Sequence, residues 1–216
     1  MEIVIAGETV QLLPERAAFW PRRRTLLVAD LHVGKAAAFR ACGLAVPEGN
    51  LADDLDRLTC AIARVGARRV VFLGDLLHAA QGLTDSVIAQ VASWRRGHAG
   101  QQFLVVRGNH DRRAGDPPPE WGMDCLDEPH SEAPFVLRHA PSPLDDAGYT
   151  LAGHLHPAVR LRGRGGLRAR LPCFVVGPQQ MILPAFGGFT GAALVRPQAG
   201  ERIYAIADQA VIPING

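Results

Sequence analysis

The sequence predicts an α/β chain, one domain over residues 1–216, built around two packed mixed β-sheets flanked by helices. Three observations predict it. Apolar runs without alternation at 25–29, 70–73 and 103–106 read as strands buried on both faces. Helical stretches separate these runs, and the resulting β-α-β-α-β order implies parallel strands joined by crossover helices. From Phe135 onward short apolar segments recur between Gly and Pro with no helical period, so the later half is mostly β.

Taken in order, residues 2–13 alternate apolar and polar about Gly7-Glu8 and predict an antiparallel hairpin. A linker with Pro14, Pro21 and Arg22 to Arg24 leads into the 25–29 strand, which ends in Asp30. After Gly34 a short helix over 35–41 is expected, then a loop over 42–49. Asn50 is placed as the N-cap of a helix reaching Val65, with Asp53 and Asp54 facing the positive end of its dipole. The strand closing on Gly74-Asp75 follows, then a helix over 84–96, then the strand leading to Arg107-Gly108-Asn109-His110-Asp111. Residues 112–122, polar and proline-rich, read as a loop. Later strands are expected at 135–139, 149–153, 158–162, 169–176, 180–183, 192–196 and 202–207.

Composition narrows the function classes. The net charge is +2, and of 23 basic residues only Lys35 is a lysine. Such a ratio reflects codon bias better than selection for phosphate binding, which accepts either residue, so arginine richness is discounted as a nucleic-acid signal. Cys42, Cys60, Cys125 and Cys173 include no CxxC pair, which argues against a zinc knuckle or a disulfide framework. No basic leader followed by an apolar stretch opens the chain, and no run of 18 apolar residues occurs. No membrane partner and a cytoplasmic location are therefore the default expectation.

Five strand ends carry metal-ligand residue types: Asp30-Leu31-His32, Gly74-Asp75, Gly108-Asn109-His110-Asp111, Arg138-His139, and Gly153-His154-Leu155-His156. In extended backbone residues i and i+2 share a side, so Asp30 with His32, and His154 with His156, are each expected to aim two ligands at one point. Oxygen and imidazole ligands without thiolate suit manganese, iron or zinc better than magnesium or calcium. Six or seven ligands exceed what one catalytic ion with an open position takes. Two ions about 3.5–4 Å apart fit the count.

In these blocks, over residues 25–157, the chain resembles the calcineurin-like metallophosphoesterase superfamily. The resemblance implies a four-layer α/β sandwich and two divalent ions, manganese first, with iron or zinc as alternatives. It implies one ion held by Asp30, His32, Asp75 and His156, and another by Asp75, Asn109, His139 and His154, with Asp75 as the bridge. A hydroxide bridging the ions is then the nucleophile on a phosphoryl group. His110 is the candidate proton donor to the leaving oxygen, with Asp111 orienting or charging it. His78, three residues past Asp75, either lines the pocket or faces solvent.

A narrower resemblance covers nearly the whole chain. Leu27 through Arg40, Val46-Pro47-Glu48-Gly49, and Leu183 through Gly191 look like the bacterial ligase-associated metallophosphoesterases. That group implies a phosphodiesterase or endonuclease on DNA, in a damage-response setting with an ATP-dependent DNA ligase, a helicase and a nuclease. The segment Arg160-Leu161-Arg162-Gly163-Arg164, with Arg168 and Arg170, is a candidate strip for tracking a phosphate backbone. Its alternative is a solvated hairpin. Two other functions stay in view. One is a small-molecule phosphomonoesterase or nucleotide-type pyrophosphatase, for example one acting on a nucleotide-linked lipid precursor; members of that group tend to carry Gly-Asn-Arg-Asp in place of the Gly-Asn-His-Asp found here. The other is a metal-free scaffold, against which the full set of ligand types argues.

Overall fold

The three unalternating runs do form strands with both faces covered, and the way they divide their side chains sets up the whole architecture. In the computed structural model, which describes residues 1–46, 50–142, 148–162 and 168–214 (the side chain of Arg162 excepted), they are the centre of a first sheet. Its strands, in chain and spatial order, are β1 (Glu2–Ile5), β2 (Glu8–Leu12), β3 (Ala18–Trp20), β4 (Thr25–Val28), β5 (Arg69–Leu73), β6 (Gln102–Val106) and β7 (Asp124–Leu126). Pairing is antiparallel from β1 to β4 and parallel from β4 to β7.

One face of this sheet, with Leu26, Val28, Val70, Phe72, Phe103 and Val105, packs under helices α1 (Lys35–Ala41), α2 (Asn50–Val65) and α3 (Asp85–Gly97). Leu55, Leu58 and Ile62 of α2 and Val87 and Val91 of α3 are buried there. The other face, with Leu27, Val71, Leu73, Leu104 and Val106, meets the second sheet through Phe135, Leu137, Leu151, Phe174 and Met181. Fully burying each such side chain is worth about 1.5–3 kcal/mol. The side-chain period of two therefore sends every second residue of β4, β5 and β6 to a different core.

The second sheet contains β8 (His130–Glu132), β9 (Phe135–Leu137), β10 (Tyr149–Ala152), β11 (Pro157–Arg162), β12 (Arg168–Val176), β13 (Gln180–Ile182), β14 (Ala193–Leu194), β15 (Arg202–Ala207) and β16 (Ala210–Ile214). It is mixed: β10 runs parallel to β9 and β13, whereas β12 is antiparallel to β11, β13 and β15. Of the layers expected, the two sheets and the helical layer over the first are formed. On the outer face of the second lies a smaller cluster of Val159, Cys173, Val175, Ile182, Ile203 and Ala205, to which no helix contributes among the described residues.

Several local expectations are corrected. The linker before β4 contains β3, whose three residues are all buried. The segment read as a loop from 112 begins inside a short helix, α4 (Asn109–Ala114), and holds a 3-10 turn at Pro119–Trp121. Asn50 is itself helical. Of the two acids expected in the first turn only Asp53 lies there; Asp54 is buried, paired with Arg57 and accepting the Gly188 N–H at 2.9 Å. The quoted stretch Pro47-Glu48-Gly49, Gly163 and Arg164 lie outside the described residues. No helix among the described residues is long and apolar enough to cross a membrane.

Candidate metal centre

The polar strand ends meet because parallel strands in each sheet finish on the same edge. In the first sheet the loops after β4 and β5 zip together: Asp30 N–H donates to Gly74 O at 3.2 Å, His32 N–H to Asp75 O at 2.9 Å and Val33 N–H to Leu76 O at 2.7 Å. In the second, Gly153 N–H after β10 donates to His139 O after β9 at 3.0 Å. Asp30 then joins the sheets, its Oδ2 accepting the His154 N–H at 2.8 Å.

Asp30 and His32 fall in one ligand group, though not on extended backbone, whereas His154 and His156 go to two separate groups rather than to one point. Asp30, His32, Asp75, His154 and His156 have φ of 55°, 53°, 50°, 69° and 48°. This left-handed region is costly for residues with a Cβ, about 1 kcal/mol or more each. Gly74 (φ +77°) meets both demands of the crowded edge, since a Cβ there would lie 2.3 Å from His139 Nδ1. At Gly108 the need is space alone, a Cβ falling 2.2 Å from Asp75 Oδ1.

Three groups of candidate ligand atoms result, each within 4.8 Å: Asp30, His32 and His156; Asp75, His139 and His154; and His32, His78 and His110. Asp75 links the first two, its oxygens lying 3.9 Å from His32 Nε2 and 3.5 Å from His139 Nε2. Asn109 Oδ1 is 2.9 Å from His139 Nε2, and His154 Nδ1 is 2.9 Å from the same atom.

The donor set fits cations. His139 Nδ1 faces the Leu73 carbonyl at 3.3 Å, and the tautomer with its proton there leaves Nε2 free to ligate. Its Nε2 then presents a lone pair toward Asn109 Oδ1 and Asp75 Oδ1. Asp30 Oδ1 and His32 Nδ1 are buried without a hydrogen-bond partner among the described residues. Burial first, and then nearby cations led by Lys35, push the His32 pKa down to about 2, so its imidazole stays neutral and able to ligate. Burial raises the pKa of Asp75, against the pull of His139 and the His110 N–H.

A family model for calcineurin-like phosphoesterases matches residues 23–167. The chain belongs to that family. As a calcineurin-like phosphoesterase it is a metal-dependent phosphoester hydrolase. Among solved structures it is similar to Pseudomonas putida nuclease MPE, with 39% identity over 99% of both chains and a TM-score of 0.86. That likeness is consistent with the ligase-associated group. A looser likeness, 16% identity and a TM-score of 0.41 over 87% of this chain and 96% of the other, is to Yfce, a phosphoesterase from E. coli. No curated protein sequence matches.

The remaining site residues of this phosphoesterase take definite places. His110 Nδ1 lies 2.7 Å from His78 O, its backbone N–H donates to Asp75 Oδ1 at 2.9 Å, and its Nε2 is 4.0 Å from Asp75 Oδ2. His78 lines the centre: half-buried, it stacks on His110 at 4.8 Å, and burial first lowers its pKa to about 4. Asp111 does not reach the His110 ring through any hydrogen bond among the described residues. Its oxygens accept Leu77 N–H at 2.8 Å and Gly108 N–H at 2.9 Å, fastening the Asp75 loop to the Asn109 loop. For His156 burial lowers the pKa, but the Asp30 carboxylate, its Oδ1 3.4 Å from Nε2, with the Gly191 carbonyl, outweighs it and the net shift is upward.

The arginine strip is only partly at the centre. Arg160 is exposed opposite Arg170 on the β11–β12 ladder, and Arg170, not Arg160, borders the cavity beside His156 together with Arg16. The Arg162 side chain lies outside the described residues. Sequence reasoning missed Glu128, whose Oε2 accepts the His139 N–H at 2.8 Å and so holds that ligand candidate in place. A lone acid before proline carries no signal of such a role.

Proposed function

We propose that this chain, folding as one unit, is a dinuclear metal-dependent phosphodiesterase that cleaves DNA. The observation that carries the reading is the pair of ligand groups, Asp30–His32–His156 and Asp75–His139–His154, sharing Asp75 at their junction. Asp30, His32, Asp75 and His156 would hold one ion and Asp75, Asn109, His139 and His154 the other. When bound, two such ions supply positive charge at the phosphoryl oxygens and lower the pKa of water so that it can attack.

The chain's own residues do the rest. With Nδ1–H donated to the His78 carbonyl, His110 turns Nε2 toward Asp75; a protonated Nε2 there delivers its proton to the departing oxygen. His78, stacked on that ring, limits its rotation. Asp111 holds the two loops that carry Asp75 and His110 in register. Likeness over 99% of both chains to a protein described as a nuclease supports a nucleic-acid substrate. Manganese as the native ion, a cytoplasmic location, and work alongside an ATP-dependent DNA ligase, a helicase and a nuclease complete the reading.

Metal analysis combined with turnover of bis(p-nitrophenyl) phosphate tests it. About two ions per chain and manganese-dependent hydrolysis are expected, and inactivity of the fully loaded chain overturns the diesterase reading. Comparison of nicked plasmid, linear DNA and nucleotide-sugar substrates then decides the class. Cleavage of the nucleotide sugar alone would replace this reading with that of a small-molecule pyrophosphatase.

A further inference from the structure

Lys35, the one lysine, stands at the rim of the centre where α1 begins. Its ammonium is close enough to Asp75 for that carboxylate to favour the charged form, and its charge in turn disfavours protonation of His32, His78 and His156. Among the described residues no carboxylate forms an ion pair with it. Nζ lies 5.9 Å from the ring centroid of Phe39 and 5.9 Å from that of Phe189, and those rings meet edge-on at 5.6 Å. Phe39 continues edge-on to His78 at 5.7 Å, so an aromatic row runs from Phe189 to the His78–His110 stack.

Lys35, His32 and Phe189 border a cavity of about 280 Å³ beside the ligand groups. Both phenylalanines are half-buried, so part of each ring stays open, unlike the core phenylalanines Phe72, Phe103 and Phe135. The loop bearing Phe189 is held on both sides: Gly188 N–H donates to the buried Asp54, and Thr190 Oγ1 donates to Gly187 O at 2.9 Å. A cation with no ion pair among the described residues, a half-buried aromatic ring on a braced loop, and the candidate ligand His32 border one cavity and match the three parts of a nucleotide.

Resting on the diesterase reading above, we infer that this cavity seats the nucleoside attached to the scissile phosphate, Lys35 binding a phosphate oxygen and Phe189 stacking the base. The binding is sequence-tolerant, because every base has a π-face. Asp54, which lines the same cavity and accepts the Gly188 N–H, is thereby a positioning residue for Phe189.

Two diesters with one leaving group test the inference on the manganese-loaded chain: thymidine 5′-(p-nitrophenyl phosphate) and methyl p-nitrophenyl phosphate. The wild type is expected to favour the nucleoside ester in kcat/KM by on the order of tenfold, the usual size of base–aromatic stacking. Phe189→Leu, which keeps apolar volume but no planar face, and Phe189→Ala should both bring that ratio toward one, while Phe189→Trp retains it. Lys35→Ala should raise KM for both esters, with Lys35→Arg recovering most of the loss. Calorimetric titration with thymidine 5′-monophosphate and methyl phosphate should show the same preference, lost in Phe189→Leu. A preference unchanged in both Phe189→Leu and Phe189→Ala, or a KM unmoved in Lys35→Ala, overturns the inference. If the wild type cleaves both esters equally, this inference falls and the diesterase reading stands; if it cleaves neither, both fall.

Discussion

Asp111→Ala probes how the centre is held rather than what it holds. The carboxylate is 2% exposed and takes two backbone hydrogen bonds, from Leu77 at 2.8 Å and Gly108 at 2.9 Å. Alanine leaves both buried N–H groups without an acceptor, at about 1–3 kcal/mol each, or roughly 2–6 in all. Part of this is offset because a buried carboxylate, whose pKa burial raises, is also removed. A net loss of about 3 kcal/mol is expected. For a chain of 150–250 residues that lowers Tm by about 6–12 °C. Urea unfolding and a thermal scan of the metal-free chain measure it, and Asp111→Asn, which keeps one acceptor, should lose about half as much. An Asp111→Ala chain within about 0.5 kcal/mol of wild type would refute the role assigned to these bonds.

Other expectations concern the centre and the periphery. Asp75→Ala should abolish binding of both ions and all turnover, checked by metal analysis after dialysis; one retained ion would show that Asp75 is not shared. His110→Ala should keep the ions yet lose about 10²–10⁴ in kcat, the usual share of a general acid, and intact turnover removes it from that role. Gly74→Ala forces a left-handed φ on a residue with a Cβ and drives that carbon into His139, so it should lose more than about 1 kcal/mol of stability together with metal at the His139 group. At alkaline pH, burial first raises Cys125 to about 11 and Cys173 to about 12, from 9.0. Folded values above the unfolded one mean stability that is full below pH 9 and lost as pH climbs through these values. A Cys125→Ala/Cys173→Ala chain should therefore show a flatter fall in stability between pH 9 and 11, and an unchanged slope would contradict the assignment.

The parts of the fold legible in sequence were those where burial leaves a pattern. β4, β5 and β6 announced themselves as unalternating apolar runs because two different cores cover their two faces. β3, β7 and β8 are three residues each, too short for any period to develop. In β16, Pro213 argues against a strand, yet it lies at a margin where the second sheet pairs only with β15. α4 hides because its buried residue is an acid, so no apolar stripe marks it. For the centre, residue types at strand ends sufficed to gather Asp30, His32, Asp75, Asn109, His139, His154 and His156. The backbone that gathers them was misjudged, since side-chain pattern says nothing about the sign of φ. Lys35, Asp54 and Glu128 were beyond reach, because their partners Phe189, Gly188 and His139 arrive from other segments only when the chain folds.

The left-handed backbone at Asp30, His32, Asp75, His154 and His156 places chemistry and endurance in opposition. Glycine would sit in those conformations without the steric strain of a Cβ, yet each glycine would delete a candidate ligand. The strain at these five positions therefore falls on side chains that are themselves candidate ligands, so relieving it and keeping the centre are mutually exclusive.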